Sequence, residues 1–239
     1  MAEDITPGSS GQKILSIDIG GSNIKAVLLD AAGQNLTEYE KLPTPVPATP
    51  ERVMVVIEQL AQRLNPFDKI SAGFPGYVKD GVVHTAPNLG TDYWKQTNLA
   101  QMLASRLGKP AKVVNDADMQ GLGIASGKGF EIVATLGTGF GTAFLKDGVL
   151  LPHIEVGQHP VSKDRTYDQY IGDKAMLEAG EEKWNRRMRK VLDLLKSTFN
   201  YDHLYLGGGN AKKIKFQLDE NVTMATNRDG IKGGARLWN

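Results

Sequence analysis

Stretches of aliphatic and β-branched residues recur along the chain, and most of them end at glycine or at a short polar cluster. They predict β-strands at 13–19, 24–30, 69–76 (ending in a Gly-Pro loop), 82–86, 111–114, 132–136, 143–145 and 203–206. Apolar residues three and four apart predict helices at 50–64, 99–107, 119–126 and 175–199. The last stretch, 229–239, is predicted to form a short glycine-containing helix or turn. Strands that alternate with helices indicate an α/β fold.

One arrangement occurs twice: a strand, a glycine-rich turn, a second strand and another turn, at 14–34 and at 132–148. The two copies differ in most residues, but their parts follow the same order. The repeat predicts two related halves that face each other across a cleft. We expect a small domain at 13–112 and a large domain at 113–239, preceded by a flexible tail at 1–12.

The stretch 113–118 takes a buried strand directly into polar residues. Ligands collect at the carboxyl ends of strands in open α/β sheets, and a carboxylate there can accept a proton from a substrate hydroxyl. We therefore expect Asp116 to act as a general base. On the other interpretation, Asn115 and Asp116 only cap the helix that follows, as these residue types often do.

Three strands end in glycine clusters, at 20–21, 137–141 and 207–209. Glycine lets backbone N–H groups approach an anion closely, and consecutive amides form an anion-binding nest. Asp18 lies on the strand before the first cluster, and a carboxylate beside phosphate usually acts through a divalent cation. We expect Asp18 to help place Mg²⁺ through a water molecule, because a bare carboxylate would repel phosphate. The predicted phosphate-binding residues are Gly20, Gly21, Ser22, Gly137, Thr138 and Gly139.

Composition narrows the class of protein. The 239 residues carry a net charge of +1 at pH 7, which gives no general attraction for nucleic acid. Cysteine is absent from the sequence, so disulfides and thiolate metal sites are excluded. No apolar run is long enough to span a membrane, and the polar start is not a secretory signal. We expect a cytoplasmic protein that binds neither nucleic acid nor membranes.

Basic residues cluster in the helix at 175–199 and again after the third glycine cluster. Two interpretations stay open: a solvated helix face partly offset by Glu181 and Glu182, or a track for a polyanion such as polyphosphate. Lys212 and Lys213 are the better candidates for a track, because they closely follow Gly207, Gly208 and Gly209. The basic residues are Lys183, Arg186, Arg187, Arg189, Lys190, Lys212, Lys213 and Lys215.

Five segments together resemble the motifs of the actin-like sugar kinases, in the branch called ROK (repressors, open reading frames and kinases). Segments 18–25 and 136–142 are similar to the two phosphate motifs of that branch. Segment 115–118 resembles its sugar-and-base motif. Segments 207–210 and 73–76 resemble its adenosine-side motif and its sugar-domain loop. The resemblance extends from residue 13 to about residue 239, with the motifs in the family's order.

The resemblance implies a two-domain α/β fold of the actin-like (ribonuclease H-like) plan, with a cleft between the domains and a last helix that can return to the small domain. It implies phosphoryl transfer to the 6-hydroxyl of glucose from ATP or polyphosphate with Mg²⁺, in a homodimer. Polyphosphate glucokinases of this branch share the Asn-Asp-Ala-Asp segment and the Gly-Thr-Gly turn. Kinases for fructose, mannose or an N-acetylhexosamine, and a catalytically silent sugar-binding regulator, stay open.

The resemblance also implies the sugar contacts, which are Asn88, Asn115 and Glu155. The family motif Glu-x-Gly-His has Gln158 in place of its histidine here, and His159 follows one residue late, so either side chain is a candidate contact. The cysteine-rich zinc loop of many family members cannot form, and no zinc is expected. A metal cluster around His153 is disfavoured, because the loop offers no fourth ligand at a usual spacing, and we expect His153 to bond to backbone.

Overall fold

Two five-stranded sheets of the same plan form the centre of the computed structural model, which describes residues 11–225 and 230–239. Most of the predicted tail and residue 229 of the predicted C-terminal turn lie outside the described residues. The first sheet has the order β3-β2-β1-β4-β8. Its strands are β1 (Ile14–Ile19), β2 (Asn23–Leu29), β3 (Glu40–Pro43), β4 (Lys69–Phe74) and β8 (Ala111–Asn115).

The second sheet has the order β11-β10-β9-β14-β15. Its strands are β9 (Phe130–Leu136), β10 (Phe140–Lys146), β11 (Val149–Leu150), β14 (His203–Gly207) and β15 (Val222–Met224). In each sheet an antiparallel hairpin, β1–β2 or β9–β10, continues into two parallel strands. The arrangement predicted to occur twice is therefore present, and the first strand of each hairpin lies at the centre of its sheet.

Helices cover the sheets, and short strands in the connecting segments form two further small sheets. The helices are α1 (Pro50–Arg63), α2 (Thr91–Trp94), α3 (Leu99–Leu107), α4 (Asp116–Ile124), α5 (Tyr167–Ile171), α6 (Asp173–Ala179), α7 (Glu181–Phe199) and α8 (Gly233–Arg236). Short strands β5 (Val78–Lys79), β6 (Val82–Val83) and β7 (Thr97–Asn98) form one small sheet, and β12 (Pro160–Ser162) and β13 (Arg165–Thr166) form another. No helix in the described ranges is both long enough and apolar enough to cross a membrane.

Each sheet has its own apolar core. Ile57 of α1 and Leu103 of α3 are fully buried against the first sheet, as their helical spacing predicts. Trp184 and Met188 of α7 are fully buried against the second sheet, beside Leu204 of β14. Burying side chains of this size stabilises the fold by about 1.5–3 kcal/mol each. The two cores leave the carboxyl ends of the central strands facing a common space.

Two helices differ from their predicted bounds. The helix predicted at 119–126 begins three residues earlier, because the Asn115 side-chain oxygen accepts the N–H groups of Ala117 (2.8 Å) and Asp118 (3.4 Å). The helix predicted at 175–199 is divided into α6 and α7. Gly180 lies between them with a φ of 76°, a left-handed value that no continuous helix contains.

The C-terminal segment returns to the first sheet. Ile231 and Ala235 are buried in a cluster with residues of β1 and β2. The hydroxyl groups of Ser16 and Ser71 donate to the carbonyl oxygens of Ile231 (3.2 Å) and Gly234 (2.5 Å). At its other side, α8 packs against α4, so this segment contacts both halves of the chain. The domain boundary at 112–113 stays a prediction.

A buried carboxylate organises the loop that joins α4 to β9. Glu131 is fully buried, and its Oε1 accepts hydrogen bonds from the N–H and hydroxyl of Ser126 (both 2.8 Å) and from the Tyr205 hydroxyl (3.0 Å). Its Oε2 accepts the N–H groups of Gly127 (2.8 Å) and Lys128 (3.1 Å). Burial alone raises the pKa of Glu131, but these donors outweigh it and lower the pKa below 4.5.

We expect Glu131→Ala to lower the free energy of unfolding by about 2–4 kcal/mol, since it leaves several buried donors without their acceptor. Thermal unfolding should show a melting temperature lower by about 5–12 °C. Because the folded pKa is depressed, the wild-type advantage is present at neutral pH and declines as the pH falls below 4.5. Glu220→Ala, at an exposed site, is the control. Equal melting temperatures for both variants would contradict the role of Glu131.

Candidate active site in the cleft between the sheets

A cleft of about 690 Å³ opens between the carboxyl ends of the central strands of both sheets. Asp18 and Lys25 contribute to it from the first hairpin, and the turn that joins β9 to β10 contributes from the second. A cleft of this volume is large enough for a sugar and part of a phosphoryl donor. Predicted site residues in its lining are Asp18, Asn88, Asn115, Asp116, Gly137, Thr138, Gly139, Glu155, Gln158, Gly208 and Gly209.

Asp116 lies half-buried in the cleft lining, where β8 ends and α4 begins. Its Oδ1 accepts the N–H of Ala117 at 2.8 Å. Burial raises the pKa of Asp116 to about 7, with a further contribution from the carboxylate of Asp18, while the Ala117 N–H opposes the rise. A carboxylate whose pKa lies near neutrality both ionises at physiological pH and holds a transferred proton well.

Asn115 takes the capping role that the sequence left open between two residues. Its side-chain oxygen caps α4, and its Nδ2 donates to the carbonyl oxygen of Gly76 at 3.0 Å. The buried amide thus ties the loop after β4 to the start of α4, and one Nδ2 hydrogen is left for a ligand. A sugar contact by Asn115 stays a prediction, as does one by Asn88.

The two hairpin turns differ in how they meet the cleft. Gly137, Thr138 and Gly139 lie directly in its lining. Gly20, Gly21 and Ser22 are not part of the lining, although a Cβ on Gly21 would lie 3.6 Å from the Cβ of Asn88, which does line it. The carbonyl oxygen of Gly20 accepts the Thr44 hydroxyl at 2.6 Å, which holds this turn against the loop after β3.

A cation that the sequence reasoning missed lies beside the first turn. The ammonium nitrogen of Lys25 is 3.4 Å from Asp18 Oδ2, and both residues line the cleft. The signal was available in the sequence, because Lys25 and Asp18 face each other as register partners across the predicted hairpin.

A sequence model of the ROK family matches residues 14–158. This chain belongs to the ROK family. The polyphosphate glucokinase of Mycobacterium tuberculosis is 31% identical to it over 236 residues, which cover 95% of this chain and 87% of that protein. A glucokinase of Streptomyces coelicolor is 35% identical over 137 residues, which cover 53% of this chain and 41% of that protein.

Solved structures agree with the sequence relatives. The inorganic polyphosphate/ATP-glucomannokinase from Arthrobacter sp. strain KM has a TM-score of 0.83 and 31% identity, covering 95% of this chain and 98% of that one. A ROK glucokinase from Streptomyces griseus, solved with glucose and AMPPNP, has a TM-score of 0.77 at 21% identity, covering 94% and 98%, and shares the fold. The predicted α/β fold of the actin-like sugar kinases is thereby confirmed.

The residue that replaces the histidine of the ROK sugar motif is held by an acidic partner. Gln158 Nε2 donates to Asp168 Oδ2 at 2.8 Å, and Asp168 Oδ1 accepts the N–H of Phe140 at 2.7 Å. Burial raises the pKa of Asp168. A Cβ on Gly139 or Gly157 would lie within 3 Å of the Asp168 carboxylate, so both glycines leave it room. Asp168 therefore joins the second glycine turn to the loop that contains Gln158.

Asp168 was not predicted, because it follows the sugar motif in a segment with no apolar periodicity.

His159 lies outside the cleft lining and is exposed, with its ring 6.2 Å from that of Tyr167. Of the two candidates for the missing histidine, only Gln158 is thus placed in the cleft.

The expectation that His153 bonds to backbone is wrong. Its ring nitrogens bond to two carboxylates, Asp118 (Nδ1, 2.9 Å) and Glu155 (Nε2, 3.3 Å). Burial alone lowers the pKa of His153, but the hydrogen bonds to Asp118 and Glu155 outweigh it and raise the pKa to about 9. Burial also raises the pKa of Asp118, against the effect of His153. His153 carries a positive charge at neutral pH.

The basic residues near the third glycine cluster do not reach the cleft lining. Gly208 and Gly209 line it, whereas Gly207 is buried behind them. Lys212 is exposed outside the lining, and the ammonium of Lys213 contacts the Met176 sulfur at 3.7 Å.

Several cations on α7, and Lys215 after the third glycine cluster, already have partners. Arg186 pairs with Glu182 at 2.7 Å, and Lys215 pairs with Glu181. The guanidinium of Arg189 lies over the ring of Phe216. These contacts favour the solvated, ion-paired helix face over a polyanion track.

Proposed function

We propose that this ROK protein is a hexose kinase, which transfers a phosphoryl group from polyphosphate or ATP to the 6-hydroxyl of glucose. The observation that carries the proposal is the half-buried Asp116, whose raised pKa and cleft position suit a base next to the glycine turns. The names of its relatives support it. The Mycobacterium tuberculosis relative is a polyphosphate glucokinase, and the Arthrobacter structure is a polyphosphate/ATP-glucomannokinase.

The cleft residues have different roles in a single phosphoryl transfer. Asp116 accepts the hydroxyl proton while the sugar oxygen bonds to phosphorus and the anhydride bond of the donor breaks. Asn88, Asn115, Glu155 and Gln158 hold the sugar. Donor phosphates lie against the amides of the first and second turns, and the rest of the donor lies toward Gly207, Gly208 and Gly209. Positioning and charge stabilisation supply most of the rate.

A Mg²⁺ ion fits the donor set at Asp18. Magnesium in kinases takes one or two carboxylates and fills its remaining positions with phosphate oxygens and water. Asp18 is a carboxylate in the lining of the cleft, so it matches this habit. When bound, Mg²⁺ would neutralise charge on the donor phosphates. The predicted homodimer stays a prediction.

Mannose is a second candidate acceptor. The Arthrobacter protein, which matches this chain over 95% of its length, is named a glucomannokinase. Glucose and mannose differ only at one hydroxyl, so a site that tolerates that difference would accept both. Comparison of kcat/KM for the two sugars with one donor distinguishes a glucose-specific enzyme from one that takes both.

The test of the proposed function is a coupled assay of glucose 6-phosphate formation, run with ATP and with polyphosphate side by side. We expect product with at least one donor, and none when either the donor or the enzyme is omitted. Calorimetry with glucose alone completes the experiment. Binding of glucose without transfer from either donor would overturn the kinase proposal and indicate a silent sugar-binding protein.

We expect the double variant Lys212→Gln/Lys213→Gln to change KM for polyphosphate by less than about twofold, because neither side chain reaches the cleft lining. The assay belongs at low salt, where charge contacts are screened least. Lys25→Gln, within the cleft, is the matched control and should raise KM for both donors by about tenfold. A tenfold rise for polyphosphate alone in the double variant would restore the polyanion track.

A further inference from the structure

A chain of three side chains runs from the inside of the molecule to the open cleft. Asp118 belongs to α4 and its side chain is only 4% exposed, as is that of His153. Glu155, at the other end, is 40% exposed and lines the cleft. A long carboxylate side chain in such a position has several rotamers open to it, and a partner at its side selects one of them.

While both carboxylates are ionised, the hydrogen bonds of the chain need a doubly protonated ring. Ionised carboxylates only accept hydrogen bonds, so each ring nitrogen of His153 must donate to be satisfied between Asp118 and Glu155. The bond to Asp118 is the shorter and the more buried of the two. The stronger hydrogen bond of His153 is therefore at Nδ1, and its Nε2 faces Glu155, which lines the cleft.

The ring face of His153 has a partner from the other half of the chain. Tyr77 lies just after β4 and stacks with His153 at 6.1 Å between ring centroids, with an interplanar angle of 22°. Tyr77 also stacks with His84 at 5.0 Å. The imidazolium is thus held at both nitrogens and on one face, which limits the orientations open to it.

We propose that His153 is a positioning residue for the sugar, which holds the Glu155 carboxylate in its sugar-binding orientation and anchors it to α4 through Asp118. The proposal rests on the proposed function and deepens it. His153 bonds to Glu155 Oε2, which leaves Oε1 for a sugar hydroxyl. Preorganising the acceptor in this way raises affinity for the sugar and leaves the donor site unchanged.

Two near-isosteric substitutions separate the two contacts of the ring. In His153→Gln the terminal amide can reach the position of Nε2 and retain the bond to Glu155. In His153→Asn the amide reaches only the position of Nδ1 and retains the bond to Asp118. We expect His153→Asn to raise the Kd and KM for glucose by about tenfold, with KM for the donor within about twofold. His153→Gln should recover most of the glucose affinity.

A second background tests whether His153 acts through Glu155. Glu155→Gln by itself should weaken glucose binding, and adding His153→Asn to it should change the affinity by less than about twofold. The control His203→Gln replaces a histidine that bonds to Thr223 on the far edge of the second sheet, and should bind glucose as the wild type does.

Calorimetric titration with glucose, alongside the transfer assay, keeps the two proposals apart. Wild-type affinity for glucose in both His153 variants would overturn the positioning role. So would a loss of affinity from His153→Asn that is equal with and without Glu155→Gln. A merely structural role would lower the melting temperature of both variants without this difference in glucose affinity, and would also overturn it. Glucose binding with no transfer by the wild type would overturn the kinase proposal alone.

Discussion

We expect Asp116→Asn to lower kcat for glucose phosphorylation by about 10²–10⁴-fold and to leave KM for glucose within about threefold, because the amide keeps the shape of the side chain but accepts no proton. Steady-state kinetics in the coupled assay give both constants. Asp164→Asn is the matched control, since Asp164 is exposed between β12 and β13 and its change removes the same charge. Near-normal turnover in Asp116→Asn would place the base elsewhere.

The pH profile offers an independent check on the same residue. The proposed base would act only when ionised, so a pKa of about 7 for Asp116 predicts a plateau of kcat/KM above that pH and a decline below it, approaching tenfold per pH unit. A profile that stays flat to about pH 5 would contradict the assignment.

The stability of Asp116→Asn should change in the opposite direction from its activity. The folded pKa of Asp116 is raised, so the folded protein binds a proton that the unfolded chain releases, and stability falls as the pH rises toward 7. Asp116→Asn removes this effect. It should exceed the wild type in free energy of unfolding by on the order of 1–3 kcal/mol near pH 8, and by less near pH 5. Denaturant titrations at the two pH values measure the difference.

The second large effect is expected at Gly233. A Cβ at this position would overlap the Met119 carbonyl oxygen and lie 2.8 Å from the Gly123 nitrogen, both backbone atoms of α4. Neither atom can yield by a side-chain rotation. We expect Gly233→Ala to lower the free energy of unfolding by at least about 4 kcal/mol and the melting temperature by about 10 °C. Calorimetry measures both.

The displacement caused by Gly233→Ala should also reach the site, because α4 begins at Asp116. We expect kcat to fall even at temperatures where the variant stays folded. Gly11→Ala is the control, since a Cβ there meets no atom within 4 Å. A variant with wild-type stability would show that α8 is free to move away from α4 at no cost.

Local pattern was sufficient for several elements. The bounds of α1 and α3 agree with prediction to within one residue, because their apolar spacing, the proline at the start of α1 and the C-terminal Gly108 of α3 are local signals. The early start of α4 and the break at Gly180 were not foreseen. Each depends on the geometry of a single residue, either its side chain or its backbone. The spacing of apolar residues carries no information about that geometry.

The site shows the same division between local and long-range signals. Asp116 and the second glycine turn could be predicted, since each stands at the end of a recognisable strand. Asp168 and the bond between His153 and Asp118 could not, because Asp118 precedes His153 by 35 residues and Asp168 follows Phe140 by 28. Hydrogen bonds across such separations depend on how the loops pack, and no single segment carries their signal.

The sequence alone was enough to predict an α/β fold in two related halves, the ROK family and Asp116 as the candidate base. The fold could be predicted because strand ends, glycine turns and apolar periodicity are encoded within short segments, and the family followed from the resemblance of five segments to its motifs. The folded structure was needed to show that α8 packs against α4, that Gln158 rather than His159 faces the cleft, and that His153 joins two carboxylates. Those outcomes depend on backbone contact and desolvation between distant segments, which arise when the chain has folded.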